Sequence, residues 1–411
     1  MQPTSQKPAV AVFDGESPPA LAFTRALGRA GVHVHVYSHL PFASTRFSKH
    51  CTSFTLCPPP EQTDLFLPWV QKHLKAPLYI APTSDVMVFY LTQYPGFFPP
   101  QPTHSLAPPQ AVLDVLLKNR FESLCHTLGV PTPQTFFFAS QQEAWDMAHT
   151  LPYPLVIKPT SHVGVGGVRG VVIYNPEQLR EHYTAYPAPP HTSSVFRAFP
   201  SLHWPLLQKY VPGALEGMYS ISGILDPHGH PLSYSSSCKK MQWPPKLGVG
   251  TLFEPWEEKT ACQEGLRLAS ACLKRGMFEL ELLWDKEQQR YMAIDLNPRG
   301  HGFMSFDIAR NNNTPLLWYR MACGQPLTAH MSSKPSAARW VHGVPYHVGN
   351  MAHILRGPQR FEKTRAYLKG FSRRTVGIVH DSQDPGPTFP HVLQMFKHPG
   401  GLIKPFFQNQ F

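Results

Sequence analysis

The chain has 411 residues, a formal net charge of +11 and an ordinary apolar fraction of 42%, which excludes a disordered chain and leaves room for two or three domains with a sizeable core. No run of about 18 apolar residues occurs, which excludes a spanning helix, and Met1 to Pro8 lacks the apolar core of a signal peptide. Seven cysteines, an odd count without a C-x-x-C pair, point to reduced thiols in a cytoplasmic protein, not a disulfide framework or a zinc site. The positive charge suits phosphate-bearing ligands. Nucleic acid is not expected, because no five-residue run of Lys and Arg and no nucleic-acid motif is present.

Ala9 to Phe13 reads as a buried strand. Ser17 as N-cap and Pro18 at the first helical position open a helix that runs over Ala20 to Ala30 and closes at Gly31. Val32 to Tyr37 is the next strand. This β-α-β opening predicts a parallel sheet, without the G-x-G-x-x-G of a dinucleotide site. Leu78 to Ala81 is a later strand, followed by Pro82-Thr-Ser-Asp85. Asp14 and Asp85 therefore stand just past strand C-termini, the edge where open α/β sheets bind ligands. Helix capping is the plainer role for both; Thr83, Ser84 and Asp85 are expected to face substrate. The proline-rich stretch Tyr94 to Pro109 reads as a linker that closes a first domain over residues 1–110.

Ala111 to Leu128 reads as one amphipathic helix carrying Lys118. Leu155-Val-Ile-Lys158 is a strand with a lysine in an apolar run, and a buried ammonium needs a partner. The loop that follows carries Gly164, Gly166 and Gly167, where backbone N–H groups can turn toward an anion; Gly170 to Tyr174 returns as a strand. The lysine precedes the glycines, so this is not a P-loop. Leu206 to Val211, Met218 to Leu225 and Pro231 to Ser237 are strands, and Cys238 to Thr251 reads as a basic loop with Lys239 and Lys240. Glu257 to Arg275 is helical.

Met277 to Trp284 and Tyr291 to Asn297 then form a β-hairpin around a polar turn. Residues two apart share a face of a strand, so Glu279 and Glu281 stand together, as do Asp295 and Asn297. With the turn near Gln288, Glu281 lies across from Asp295. Oxygen ligands of this kind suit Mg²⁺, and Arg299 places a cation just beyond them. Which of Glu279 and Glu281 is the first ligand stays open on this reading, with Glu281 preferred. Thr314 is expected to cap a helix over Pro315 to Cys323, Val344 to Asn350 to hold a strand, Phe361 to Phe371 to be partly helical, and Asp381 to Phe411 to end in a helix.

The lysine helix, the strand lysine with its glycine loop, the strand before Pro212-Gly213, and Glu281 followed by Asp295-Leu-Asn-Pro-Arg-Gly300 occur in an order that resembles the ATP-grasp superfamily over about residues 9–330. The form of the hairpin looks most like the carbamoyl-phosphate-synthase-like and D-aspartate-ligase-like branch, with Asp295 where the family usually has Glu. The resemblance implies an α/β chain (α+β in the ATP-grasp part). It comprises an N-terminal Rossmann-like parallel-sheet domain, a two-lobed ATP-grasp domain over 111–330 with its lid at about 130–210, and a C-terminal extension over 331–411. It implies ATP with Mg²⁺, or Mn²⁺ in its place, as cofactors. Glu281, Asp295 and Asn297 would be the metal ligands. Lys118, Lys158, Gly164, Gly166, Gly167, Gln208, Lys209, Tyr210, Val211 and Glu216 would bind nucleotide. Arg299, Lys158 and Lys240 would carry catalysis, and Asp85, Lys239, Lys240, Gly250 and His301 would face substrate. The implied activity is a ligase that activates a small-molecule carboxylate as an acyl phosphate and joins it to an amine such as an amino acid or peptide. Non-amine acceptors and a regulatory nucleotide-binding protein are the alternatives. A cytoplasmic monomer or homodimer, with no membrane or nucleic-acid partner, is expected.

Overall fold

The computed structural model describes residues 8–163, 165, 170–211, 217–245, 247–328, 338–356, 360–370 and 374–397. Strands β1 (Ala9–Val12), β2 (Val34–Ser38), β3 (Ser53–Leu56) and β4 (Leu78–Ile80) form a parallel sheet in the order β3-β2-β1-β4. A parallel sheet needs both faces covered, and the sequence of β1 provides for this. Val10 and Val12 enter one apolar cluster, while Ala11 and the adjacent Phe13 enter another. The helix Pro18–Arg29 opens as expected, with Ser17 Oγ accepting from Ala20 N–H at 3.3 Å. The strand order reverses between β1 and β4, so residues 13–17 and 81–85 sit at a topological switch point.

A second sheet contains β5 (Thr135–Phe137), β6 (Leu155–Lys158), β7 (Val171–Ile173) and β8 (Leu206–Lys209), antiparallel in the order β5-β8-β6-β7. The third has seven strands: β9 (Met218–Leu225), β10 (Pro231–Trp243), β11 (Val249–Pro255), β12 (Gly276–Asp285), β13 (Arg290–Asn297), β14 (Arg339–Val341) and β15 (Thr375–Gly377), in the order β13-β12-β9-β10-β11-β14-β15. The helix Lys259–Leu273 covers one face of this sheet. At Gly265 it comes so close that a Cβ would lie 2.4 Å from Ile221 Cδ1 and 3.0 Å from Leu280 Cδ2.

Several sequence expectations need correction. Cys238 to Thr251 is not a loop: β10 continues to Trp243 and β11 starts at Val249, with a bulge between Lys239 and Met241 that absorbs the irregular stretch. Ala111 to Leu128 is two helices, Pro109–Leu116 and Lys118–Thr127, separated by an extended Leu117. The break lets Lys118 N–H donate to Thr160 O at 3.0 Å. Val344 to Asn350 lies within the helix Gly343–Arg356. Its aromatic and β-branched residues look strand-forming, but the segment packs on β10, where a Cβ at Gly349 would be 2.8 Å from Met241 Cε. Asn313, not Thr314, caps the helix Thr314–Ala322, accepting from Leu316 N–H at 3.2 Å. The helix Asp85–Gln93 was not expected; it is buried from Asp85 to Thr92 and so lacks an amphipathic period.

The chain beyond residue 337 adds β14 and β15 to the central sheet and then reaches back to the first domain. Asp384 accepts from Arg25 Nε at 2.8 Å, Ser48 Oγ at 2.7 Å and Lys49 N–H at 2.9 Å, with its side chain only 2% exposed. Removing this carboxylate leaves the buried Arg25 guanidinium only its bond to the Asp384 carbonyl at 2.7 Å, and breaking a buried pair in this way costs about 3 kcal/mol. Asp384→Ala is therefore expected to lower the urea midpoint by that amount of stability, whereas Asp384→Asn retains part of it. Among the described residues no helix is long and apolar enough to cross a membrane.

Candidate active site

β12 and β13 pair antiparallel with Glu281 opposite Asp295 and Glu279 opposite Asn297. Directly opposed residues share a face, so these side chains stand together, while Leu280, Leu282 and Leu296 fill the core on the other side. A bulge follows Glu281. The two glutamates differ in their surroundings. Asn297 Nδ2 donates to Glu279 Oε2 at 2.8 Å, which commits Glu279 to the amide. Burial, and then the neighbouring Glu279 carboxylate, push Glu281 well above the usual carboxylate range. A cation placed beside Glu281 would relieve that penalty.

Cations reach the hairpin from two directions. Lys118, first in its helix because the chain breaks at Leu117, brings Nζ to 2.8 Å from Asp295 Oδ1. Burial works against the Asp295 charge, but Lys118, His162 and Lys158 together hold its carboxyl below the usual value. Lys158 ends β6 and donates to Gln208 Oε1 at 2.8 Å; Gln208 Nε2 in turn donates to Thr135 Oγ1 at 3.0 Å. The buried ammonium thus finds its partner in an amide on the neighbouring strand. Burial, then repulsion from Lys118, lower the Lys158 pKa to about 8.

Arg299 is clamped. Its Nε and Nη2 meet Asp85 Oδ1 and Oδ2 at 2.7 and 3.1 Å, Nη2 also donates to Asn297 Oδ1 at 3.0 Å, and Nη1 donates to Gly300 O at 2.9 Å. Asp85 is therefore the counter-ion of Arg299 and is not a free substrate contact. Ser84 caps the helix that begins at Asp85, accepting from Met87 N–H at 3.3 Å.

A cavity of about 600 Å³ opens on this face, lined by Glu279, Glu281, Asn297, Arg299, Lys239 and His301 among others. Lys239 reaches it from β10. Lys240 does not: it sits at the bulge of β10, exposed and beside Cys238. Gly250 contributes by its lack of a side chain, since a Cβ there would lie 2.4 Å from the Phe253 ring and 3.0 Å from Lys239 Cδ. His301 Nε2 lies 3.0 Å from Asp307 Oδ2, and Asp307 is further held by Arg310 at 2.7 Å and by Ser222. Lys209, Tyr210 and Val211 line a different cavity of about 580 Å³, together with Gln134 and Met292. β8 is an interior strand, and its end is fixed by Lys209 N–H to Gln134 O at 2.8 Å and Tyr210 N–H to Pro154 O at 3.0 Å. Gly164, Gly166, Gly167 and Glu216 lie outside the described residues. Among the described residues no group of three His, Cys, Asp or Glu side chains is arranged to hold a metal by itself. Two carboxylates and an amide fit a hard cation that completes its shell from a nucleotide.

No family model matches the sequence. The carbamoyl phosphate synthase large chain, C-terminal section, of Methanopyrus kandleri is 25% identical over 211 residues, 48% of this chain. The chain covers 35% of that relative's length. The fold resembles N5-carboxyaminoimidazole ribonucleotide synthetase, solved as its ADP complex, with a TM-score of 0.59 at 14% identity over 85% of each chain. It also resembles biotin carboxylase from Campylobacter jejuni, solved with β,γ-ATP, with a TM-score of 0.57 at 14% identity over 78% of this chain and 72% of that one. The chain has the fold of these ATP-binding enzymes. His162, inside the glycine loop, carried no sequence signal of its own, yet it lines the cavity and bears on Asp295. Sequence reasoning also overlooked the cavity wall of Phe253, Phe303 and Trp340. No local signal marks these aromatics, because contacts distant in sequence bring them together.

Proposed function

We propose that this protein is an ATP-dependent ligase of the ATP-grasp superfamily that activates a substrate carboxylate as an acyl phosphate and joins it to an amine, releasing ADP and phosphate. The observation that carries the reading is the convergence of Lys118, Glu281 and Asp295 beside a cavity lined by Lys239 and Arg299. Glu281 and Asp295, with Asn297 at hand, would hold Mg²⁺, and Lys118 and Lys158 would hold the nucleotide phosphates. When bound, Mg-ATP supplies the γ-phosphoryl group and a metal that shields its charge.

The chain's own residues do the rest. Lys209 to Val211 and Met292 offer backbone and apolar cover to a base in the second cavity. Lys239, one of the two lysines expected to face substrate, draws a carboxylate to the mouth of the hairpin. Arg299 is preorganised by Asp85 and Asn297, so its charge is fixed before phosphoryl transfer and needs no reorganisation during it. An acyl phosphate formed there would have to be kept from water until the amine attacks.

The test is ADP release from Mg-ATP with pooled small carboxylic acids and amino acids, with hydroxylamine as a trapping amine. Pool-dependent ADP release with hydroxamate formation is the expected outcome. ADP release that ignores the pool would remove the ligase assignment.

A further inference from the structure

The cavity beside the hairpin has a second wall that the phosphoryl chemistry does not use. Phe253 of β11 and Phe303 stack with ring centroids 4.3 Å apart at 20°. Trp340 of β14 meets Phe253 edge-on at 5.5 Å and 74°. All three line the cavity, as does Ile378 just past β15. Their outer sides belong to an apolar cluster with Leu21, Phe306 and Val379. Trp340 Nε1 donates to Ser305 Oγ at 3.0 Å, which satisfies the indole's polar edge and fixes its orientation. The rings keep only a small accessible part, 7% for Phe253 and Phe303 and 2% for Trp340, and what they show to the cavity is rigid and apolar.

Charge is concentrated at the other end. Lys239 pairs with Phe253 across β10 and β11, both line the cavity, and Glu281 and Glu279 of the hairpin act on the Lys239 charge. One small ligand can therefore meet the ring and the ammonium together. The carboxylates lining the cavity, Glu279 and Glu281, both belong to the hairpin, and Glu279 is already bonded to Asn297. The aromatic wall adds none. His342, also lining the cavity, is pushed by burial below its usual pKa and so carries no fixed charge there. The space of about 600 Å³ is of the size that encloses a small organic ligand.

We propose that this cavity takes a carboxylate bearing an aromatic or branched apolar substituent, with the carboxylate toward Lys239 and the substituent against Phe253, Phe303 and Trp340. The orientation rests on the ligase reading above; the substituent rests on the wall alone. The C-terminal segment then has a role in substrate choice, because it supplies Trp340 and Ile378.

The test is calorimetric titration of 3-phenylpropionate, L-phenylalanine, succinate and L-glutamate into the full chain with Mg²⁺ and a non-hydrolysable ATP analogue. The better apolar acid is expected to bind at least about tenfold more tightly than either polar acid, the difference that burying a ring typically gives. Trp340→Leu is expected to bring that ratio within about threefold. Because a buried tryptophan is a large deletion, Phe253→Leu serves as a gentler second variant and should lower the ratio while remaining folded by circular dichroism. Equal or tighter binding of the polar acids overturns the proposal, as does an unchanged ratio in the folded variants. Apolar preference without carboxylate-dependent ADP release would leave the wall assignment standing and remove the ligase reading. ADP release driven by succinate or glutamate alone would do the reverse.

Discussion

Asp295→Asn is expected to lose at least about 10³-fold in Mg-ATP turnover, the scale at which removing a preorganised charge acts on a transferring group. The substitution keeps side-chain volume and β13 register while deleting the charge that faces Glu281 and pairs with Lys118 Nζ at 2.8 Å. Lys118 and Lys158 would then lose their shared carboxylate, and Glu281, which remains, already holds its proton more tightly than an ordinary carboxylate because of burial. Metal affinity should fall together with turnover. The check is a steady-state assay across a Mg²⁺ and Mn²⁺ titration, with circular dichroism confirming the fold. Turnover within about threefold of wild type would remove Asp295 from the metal site.

Lys158→Met is expected to abolish nucleotide binding and yet stabilise the protein without nucleotide, by roughly 1–2 kcal/mol at pH 7. The sign follows from linkage. Burial lowers the folded-state pKa of Lys158 to about 8 from an ordinary value of 10.5. Below about 8 both folded and unfolded chains carry the proton, and the folded state bears the full cost of a buried ammonium. Between about 8 and 10.5 the unfolded chain binds the proton and the folded chain does not, so wild-type stability rises with pH over that window. Methionine removes the cost at pH 7, and the gap between the proteins should narrow as pH approaches 10. Loss of the Lys158 bond to Gln208 offsets part of the gain. Thermal melts of both proteins at pH 7 and pH 10, with nucleotide binding measured at pH 7, give the answer; a less stable variant at pH 7 would contradict it.

How much was legible in the sequence depended on range. The hairpin could be read because its signal is local: alternation fixes the face, and the turn length fixes the register, so Glu281 met Asp295 as expected. The opening β-α-β was equally local, with Ser17 capping its helix. Lys158 was marked by its position in an apolar run, but its partner, Gln208, lies fifty residues away on a neighbouring strand, beyond any local pattern. Asp85 showed only its place after a strand; its bond to Arg299 spans 214 positions. Lys239 and Lys240 were both expected to face substrate on a loop; the stretch is strand instead, with Lys239 lining the cavity and Lys240 exposed. The bulge at Lys240 comes from pairing with β11, which a reading of the stretch alone does not show. The strands β14 and β15 are three residues each and gave no periodic signal.

On the proposed function, a substrate carboxylate attacks the γ-phosphoryl group at the Glu281–Asp295 hairpin. The most direct measurement uses carboxylate substrate labelled with ¹⁸O, followed by mass analysis of the phosphate released. An acyl phosphate intermediate, consumed by the amine, carries one ¹⁸O from each turnover into phosphate, and that transfer is the predicted result. Unlabelled phosphate, released at a rate matching ADP, would mean that water and not the carboxylate attacks, and would contradict the account.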